Sequence, residues 1–350
     1  MRTMTNRQRQ NRRFLTDLFS GPFRGHAIIM DHEHVKAPWP GDFAISERPV
    51  GDWVPWHVQN YEAMLRQHES LDDDSVPYVK VCTGTEIFAS AFGCPVHVYE
   101  DSPACARPLV HTARQADRLA APDLNARPIA RVFELAERVS EKVGADVPIS
   151  VPDIQSPFDI AALIWNKQDF YLALVDDPAA VKRLVRKCHA LLAGFLSEYK
   201  RRIPSCNLCH CPNAWAPQEL GCWLSEDEAG SMSTAMFEEF CLPHLAEMSG
   251  EFGGMFMHCC ATADHQYGNF RKIPNLRGLN RVFQSPGPRP AIEAFSGRTV
   301  LMVAWTGEDG VNKMLDMALP QTRFLFNVPA QPPDEAKRTL DRLRARCPRA

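Results

Sequence analysis

Eight strand-length apolar runs that alternate with helix-length amphipathic segments constrain the fold of this chain more than any other feature. The runs span residues 26–32, 77–83, 147–154, 204–211, 254–260, 277–281, 299–304 and 323–328. The clearest amphipathic segments span residues 128–143, 179–200, 234–251 and 334–346. Strands that alternate with helices pair in parallel, and eight such units close into a ring. The pattern therefore predicts an α/β fold, the (β/α)8 or TIM barrel.

The length of the chain fits one such barrel. Its 350 residues suit a single domain over residues 1–350. An open doubly wound sheet would carry a glycine-rich phosphate turn after its first strand, and the chain has His32-Glu33-His34 at that place. Residues 1–12 are interpreted as a basic lead-in to the first helix. Residues 33–60, rich in Pro, Trp and Gly, are interpreted as a long loop or lid.

Charge and cysteine content restrict the partners. With 39 Lys+Arg against 42 Asp+Glu, nothing general favours nucleic acid or an anionic membrane. The sequence has no apolar run long enough to span a bilayer. Twelve cysteines without an export signal favour reduced thiols and metal ligation over disulfides. We therefore expect a cytoplasmic protein that acts on a small molecule, in an oligomeric state that the sequence does not reveal.

Chemistry in a barrel of this kind takes place at the carboxyl ends of the strands. Candidate acids and bases there are Asp31, His32 and His34 after the first run and Asp153 after the third. A general acid or base of this type contributes about 10²–10⁴ in rate. Polar side chains near other strand ends are candidate substrate-binding residues, namely Glu86, Gln155, Asn280 and Asn327.

Several segments resemble the uroporphyrinogen decarboxylase superfamily. The segment FEEFCLPHL at 237–245 is similar to its "fxeFvlPyl" helix, and residues 253–262 are similar to its strand ending in H-x-C-G. The segment DIQSPFDIA at 153–161 is similar to its "gPfdiA" turn, and Ser225-Glu226-Asp227 is similar to an acidic turn of many members. The similar segments follow one another in the order of the family, which implies its barrel fold.

The decarboxylase branch of the superfamily carries M-R-Q-A-G-R-Y-L-P after its first strand, with arginines that hold a polycarboxylate substrate. The segment at 30–38 here reads MDHEHVKAP, so Asp31 and Val35 replace both arginines. The aspartate that this branch carries at the end of strand two is absent from residues 79–83. Close like charges are costly in a confined site. An acidic rim formed by Asp31, Glu33 and Glu86 therefore predicts a neutral, cationic or metal-bound ligand.

The methylcobalamin:thiol methyltransferases are the nearer branch. Their zinc ion is held by H-x-C on strand five and by a cysteine after strand eight, and it activates a thiol. His258 and Cys260 match the first half of that motif, and residues i and i+2 of a strand point the same way. The segment after strand eight, residues 326–331, has no cysteine.

A different third ligand is therefore needed. The run CNLCHC at 206–211 offers thiolates or the imidazole of His210, because alternation would put Cys209 and Cys211 on one face and His210 on the other. Asp227 and Asp264 are further oxygen donors nearby in sequence. The resemblance thus implies zinc held by His258, Cys260 and, among these alternatives, His210.

Three functions follow. The leading hypothesis is metal-assisted transfer of a methyl or related one-carbon group, with a corrinoid carried on a separate protein as the donor. The second is a metal-free decarboxylase of a tetrapyrrole-like or smaller carboxylic acid. The third is a barrel that binds a ligand without turnover.

Overall fold

A computed structural model describes residues 4–21, 25–32, 42–99, 104–283 and 285–349. Its strands are β1 Ala27–Met30, β2 Val96–His97, β3 Cys105–Ala106, β4 Ile149–Ser150, β5 Cys206–Asn207, β6 Cys222–Ser225, β7 Met255–Cys259, β8 Leu276–Arg281, β9 Val300–Val303 and β10 Phe324–Val328. Its helices are α1 Asn6–Ser20, α2 Val54–Ser70, α3 Ile87–Ala91, α4 Ala113–Arg118, α5 Arg127–Val143, α6 Pro157–Ile164, α7 Lys167–Asp176, α8 Pro178–Arg202, α9 Thr234–Phe240, α10 Leu242–Phe252, α11 Tyr267–Phe270, α12 Arg289–Phe295, α13 Glu308–Met317 and α14 Pro333–Arg346. Short 3-10 turns span Val50–Trp53, Gln218–Leu220, Glu228–Ser231 and Asp264–Gln266.

Six strands form one parallel sheet in the order β1, β10, β9, β8, β7 and β6. All residues of β7 and β10 are buried, as expected for parallel strands that are covered on both faces. The α/β fold with parallel strands is therefore confirmed.

The remaining part of the ring is built from short pairings. β4 pairs in parallel with β5, and parallel bridges join Val79 to Ile149 and Gln155 to Ser225. On the other side of β1, the Asp74 amide donates to the carbonyl of Ile28. These contacts extend the parallel order from β6 through β4 and residue 79 toward β1, as the (β/α)8 barrel requires.

Two of the expected strands are shorter than the sequence indicated. In the run at 77–83 only Val79 forms a bridge, because the Val81 amide donates to the Ser150 hydroxyl (3.0 Å) and the Cys82 amide to His57 Nε2 (3.2 Å). These side chains take the place of the neighbouring strand.

The run at 204–211 was also expected to be a strand, and only Cys206–Asn207 is one. Pro212 follows it and lacks the amide that a sheet requires. The strand β6, which pairs with β7, was not predicted.

The amino-terminal segments also differ from expectation. Residues 6–12 of the expected basic lead-in are already helical, because the Thr5 hydroxyl accepts from the Gln8 amide and caps α1, which begins at Asn6. Of the segment 33–60 that was expected to be a long loop or lid, the last eleven residues belong to the 3-10 turn Val50–Trp53 and to helix α2, and a lid stays a prediction. Residues 33–41 lie outside the described residues. Within the described part of the chain, no helix combines the length and the apolar character that a membrane span needs.

Candidate functional site

Two neighbouring strands, β6 and β7, bring the most reactive side chains together. They run in parallel, with Ser225 opposite His258. The glycines that precede the two strands approach closely: a Cβ on Gly221 would lie 2.3 Å from the backbone of Gly254, where φ is +156°. Only glycine tolerates such a contact. The acidic turn after β6 therefore faces the residues that end β7.

Asp227, His258 and Cys260 form a candidate metal centre at this place. Their ligand atoms all lie within 4.8 Å of one another. Asp227 Oδ1 lies 3.3 Å from Cys260 Sγ and 4.0 Å from His258 Nε2, and it accepts the Cys260 amide at 2.8 Å. A carboxylate, an imidazole and a thiol are the donors that zinc takes in proteins.

The orientation of His258 is determined by β8 and β9. The Asn280 amide nitrogen donates to the Met302 carbonyl (2.7 Å), so its oxygen faces His258 Nδ1 at 2.5 Å. Nδ1 therefore carries a proton, and Nε2 faces Asp227. Burial lowers the pKa of His258, but hydrogen bonds to the Cys211 and Cys260 sulfurs and the charge of Asp227 outweigh it and hold the pKa well above its ordinary value. A metal ion would take the place of the Nε2 proton.

Asn280, which was expected to bind substrate, lies beside His258, and its contact with a substrate stays a prediction. Both polar atoms of its side chain are used, one by His258 and the other by Met302. It is a residue that positions the imidazole, as the outer partners of metal-binding histidines commonly do.

A buried carboxyl from α6 holds the acidic turn. Asp159 accepts the Asp227 amide at 2.7 Å and the Glu228 amide at 3.1 Å. Burial, with the charge of Asp227, raises the pKa of Asp159 to about 8. Burial and the proximity of Asp159 likewise raise the pKa of Glu226 far above its ordinary range. The carboxyls of Asp159 and Glu226 therefore do not both ionise at neutral pH.

Arg281 fixes the peptide that carries Cys260, a role that the sequence did not reveal. Its Nη1 donates to the Cys259 carbonyl (2.7 Å) and to the Ala261 carbonyl, one on each side of Cys260. Its Nη2 lies 3.7 Å from Asp264. Asp264, named from the sequence as a further oxygen donor, is thus occupied by Arg281 and lies outside the three-residue group.

His210 also lies outside the group. Its Nδ1 is 3.4 Å from the Val151 carbonyl and its Nε2 is 3.8 Å from Asp153. The alternation argument for this run fails because residues 208–211 are not a strand. Cys209 is fully buried, whereas Cys211 Sγ lies 3.5 Å from the Asn280 oxygen, beside His258. Zinc ligation by His210 stays a prediction.

The acid–base candidates occupy two polar networks. Asp31 accepts from the Asn213 amide at 2.8 Å, and Lys80 donates to the Asn213 oxygen at 3.0 Å. Burial raises the pKa of Asp31, but hydrogen bonds from His32 and Asn213 outweigh it, so its pKa is lowered overall.

Asp153 lies in the second polar network. Burial raises its pKa to about 6, although His258 and Lys80 act in the opposite direction. Its amide donates to the Thr83 hydroxyl at 3.2 Å. His34 and Glu33 lie outside the described residues.

Three expected substrate-binding residues are buried or partly buried in the barrel. Within the described residues, Glu86 Oε2, Gln155 Oε1 and Asn327 Nδ2 have no hydrogen-bond partner. Buried polar atoms without partners are costly, so these three are available to the polar groups of a ligand. Glu86 is 1% exposed and therefore does not belong to an acidic rim, which corrects the expectation. Burial raises its pKa to about 7.

The buried Glu86 predicts a pH-dependent stability. The folded protein keeps a proton on Glu86 that the unfolded chain releases between its ordinary pKa of 4.5 and about 7, so stability falls as pH rises through that window. Glu86→Gln is expected to raise the free energy of unfolding by about 3 kcal/mol at pH 8 and to change it little at pH 4. Urea unfolding at several pH values measures this. Glu62→Gln, which changes an exposed glutamate, serves as control. If Glu86→Gln raised the free energy of unfolding equally at pH 4 and pH 8, the raised pKa of Glu86 would be contradicted.

Comparison with known proteins agrees with this architecture. The family model of uroporphyrinogen decarboxylase (URO-D) matches residues 62–202. A methyltransferase from Methanosarcina mazei has a similar structure, with a TM-score of 0.68, 15% identity, and coverage of 95% of this chain and 97% of that chain. A homocysteine methyltransferase, MmuM from Escherichia coli in its metallated form, has a TM-score of 0.25 at 9% identity, over 81% of this chain and 100% of that chain. No curated protein sequence matches at a significant level. The resemblance to the uroporphyrinogen decarboxylase family is thus confirmed over residues 62–202, and the M. mazei structure confirms the fold.

Proposed function

We propose that this protein is a methyltransferase that binds zinc at Asp227, His258 and Cys260 and uses it to activate a thiol substrate. The observation that carries the proposal is the convergence of these three ligand types within 4.8 Å. Catalytic zinc sites combine three protein ligands with an open position for water or substrate. Zinc supplies one function when bound, which is to lower the pKa of a thiol so that it is present as thiolate.

Asp227 takes the place of the cysteine that is absent after strand eight. The related methyltransferases use two thiolates and one imidazole, and here a carboxylate stands in place of the second thiolate. Two anionic ligands and one neutral ligand balance the charge of Zn²⁺ in both cases. The substitution therefore preserves the net charge of the centre while it changes one sulfur donor to oxygen.

The chain's own residues hold these ligands in place. Asn280 directs the Nε2 of His258 toward Asp227, and Arg281 holds the carbonyls on both sides of Cys260. Asp159 holds the amides of the turn that carries Asp227. Support of this kind from outer residues is typical of metal sites and is worth about 10–100-fold in affinity.

The substrate in this proposal is a small thiol, and the methyl donor is carried on a separate protein, for which we propose a corrinoid protein. In the transfer the thiolate sulfur forms a bond to the methyl carbon, and the bond between that carbon and its carrier breaks with both electrons left on the carrier. Gln155 and Asn327 offer polar atoms to the substrate, and Trp305, which follows β9 and is 63% exposed, offers an aromatic surface.

Zinc content tests the centre directly. Protein purified without chelator and equilibrated with Zn²⁺ is expected to hold about one equivalent at this site, and Asp227→Ala and Cys260→Ser are each expected to lower the total zinc content by about one equivalent. Cys105→Ser, which changes a partly buried thiol on β3, is the matched control and should retain the metal. Because further ions can bind elsewhere, Co²⁺ substitution provides the specific readout: a thiolate-to-cobalt charge-transfer band that disappears in Cys260→Ser. A band that persists in Cys260→Ser would refute the proposal.

A second candidate function rests on Asp153. Its raised pKa, of about 6, and its position beside His210 and Lys80 suit a general acid in a metal-free decarboxylase. Asp153→Asn would then abolish turnover of a carboxylic acid, whereas a chelator would leave turnover unchanged. Sensitivity to chelation would decide in favour of the methyltransferase.

A further inference from the structure

A second group of metal-ligand type lies between two helices outside the sheet. His189 belongs to α8, and His244 and Glu247 lie one turn apart on α10. Both imidazoles are buried, the glutamate is 48% exposed, and the three ligand atoms lie within 4.8 Å of one another. The proposed mechanism uses none of these residues.

The separation of the two imidazoles fits metal ligation. His189 Nδ1 and His244 Nδ1 are 3.4 Å apart. Two nitrogens bound to one tetrahedral zinc at about 2.0–2.1 Å are separated by roughly 3.3–3.4 Å. A direct N–H···N hydrogen bond would be long at this separation, so the pair gains little from facing each other without an ion.

Glu247 completes the group from the solvent side. One of its carboxylate oxygens lies within 4.8 Å of a ring nitrogen of each histidine, and its Oε2 accepts from Arg186 Nη1 at 2.5 Å. Arg186 is exposed, so its ion pair with Glu247 is weak and competes only modestly with a divalent ion. Glu251, whose charge reaches His189, adds to the negative potential.

We propose that His189, His244 and Glu247 bind a second divalent ion of the zinc class, which joins α8 to α10. Two imidazoles and one carboxylate are a ligand set that zinc and its neighbours among the transition metals accept. Helix α10 leads through Gly253 and Gly254 into β7, the strand that carries His258. An ion at this place would therefore fasten the helix that precedes the candidate catalytic strand.

The test uses protein in which the first centre is disabled. The double variant Asp227→Ala, Cys260→Ser is expected to retain about one equivalent of zinc after equilibration with Zn²⁺ and gel filtration. Adding His244→Asn should remove it, and adding the exposed substitution Glu247→Gln should weaken binding about tenfold or more. With Co²⁺, the double variant should show only d–d bands, because this group contains no thiolate.

Arg186→Gln distinguishes a metal site from simple packing. It frees Glu247 from its ion pair, so it should tighten zinc binding severalfold. If the double variant bound less than a tenth of an equivalent, or if Glu247→Gln and Arg186→Gln both left the affinity unchanged, the second site would be refuted. Neither result would bear on the first centre, which is measured through its thiolate band in the parent protein.

Discussion

Replacing Cys260 by alanine is expected to lower the rate of methyl transfer to a thiol at pH 7 by about a hundredfold or more. A free thiol of pKa about 8.5 is only a few per cent thiolate at pH 7, so loss of activation alone accounts for a factor of tens. Loss of the bound geometry adds to it. The measurement is the demethylation of methylcobalamin, followed by its absorbance, with 2-mercaptoethanol as the thiol.

The pH profile separates thiol activation from a loss of folding. In Cys260→Ala the residual rate should rise about tenfold per pH unit toward the pKa of the free thiol, whereas the parent rate should change little above pH 7. Cys105→Ser, with its substitution in the short β2–β3 hairpin, should retain the parent rate and profile. A parent rate with the steep profile of a free thiol would show that the centre does not activate the substrate.

Asp74→Ala is expected to lower the free energy of unfolding by about 3–5 kcal/mol. Asp74 is fully buried and accepts from the Ile28 amide (2.8 Å), from Arg344 (3.0 Å) and from Arg349 (2.8 Å). Its loss leaves the Ile28 amide without an acceptor and removes the buried carboxylate that Arg344 and Arg349 share. The contacts that Asp74 makes among β1, α14 and the residues after α14 are then lost. Chemical denaturation measures the change.

Asp72 provides a matched control two residues away. It is 73% exposed and its carboxylate pairs with Arg349 alone among the described residues. Exposed ion pairs contribute about 0–1 kcal/mol, so Asp72→Ala should have a small effect. If Asp72→Ala and Asp74→Ala lowered the free energy of unfolding equally, the burial of Asp74 would not be the reason for its contribution to stability.

The second half of the fold could be predicted closely from the sequence. The runs at 254–260, 277–281, 299–304 and 323–328 correspond to β7, β8, β9 and β10, because their apolar residues form continuous ladders with neighbours on both sides. The first half could not. Partners there are often side chains, such as Ser150 for Val81 and Asp73 for Met30 (2.9 Å), and the apolar pattern of a strand does not reveal whether its partner is backbone or side chain.

The candidate site could be predicted only in part. The spacing of His258 and Cys260 placed both at the end of one strand, and the structure brings both into one group with Asp227. The sequence could not decide whether Asp227 or His210 is the third ligand, because that depends on how β6 is aligned with β7. The strand β6 has only four residues, and the apolar pattern did not predict it. Arg281 donates to backbone carbonyls, and Asp159 accepts from backbone amides. Contacts between a side chain and the backbone leave no recognisable pattern in a single sequence.

All three ligands of the candidate catalytic centre, Asp227, His258 and Cys260, come from one strand–helix–strand unit, residues 222–260. The residues proposed to meet the substrate lie elsewhere in the chain, after β4, after β9 and on β10. In evolutionary terms the two sets can vary independently: loops can change the shape and polarity of the entrance while the unit with the ligands stays intact. A barrel organised in this way can acquire a new acceptor or a new donor protein without rebuilding its reactive centre, and the unit itself is a natural segment to exchange between related barrels.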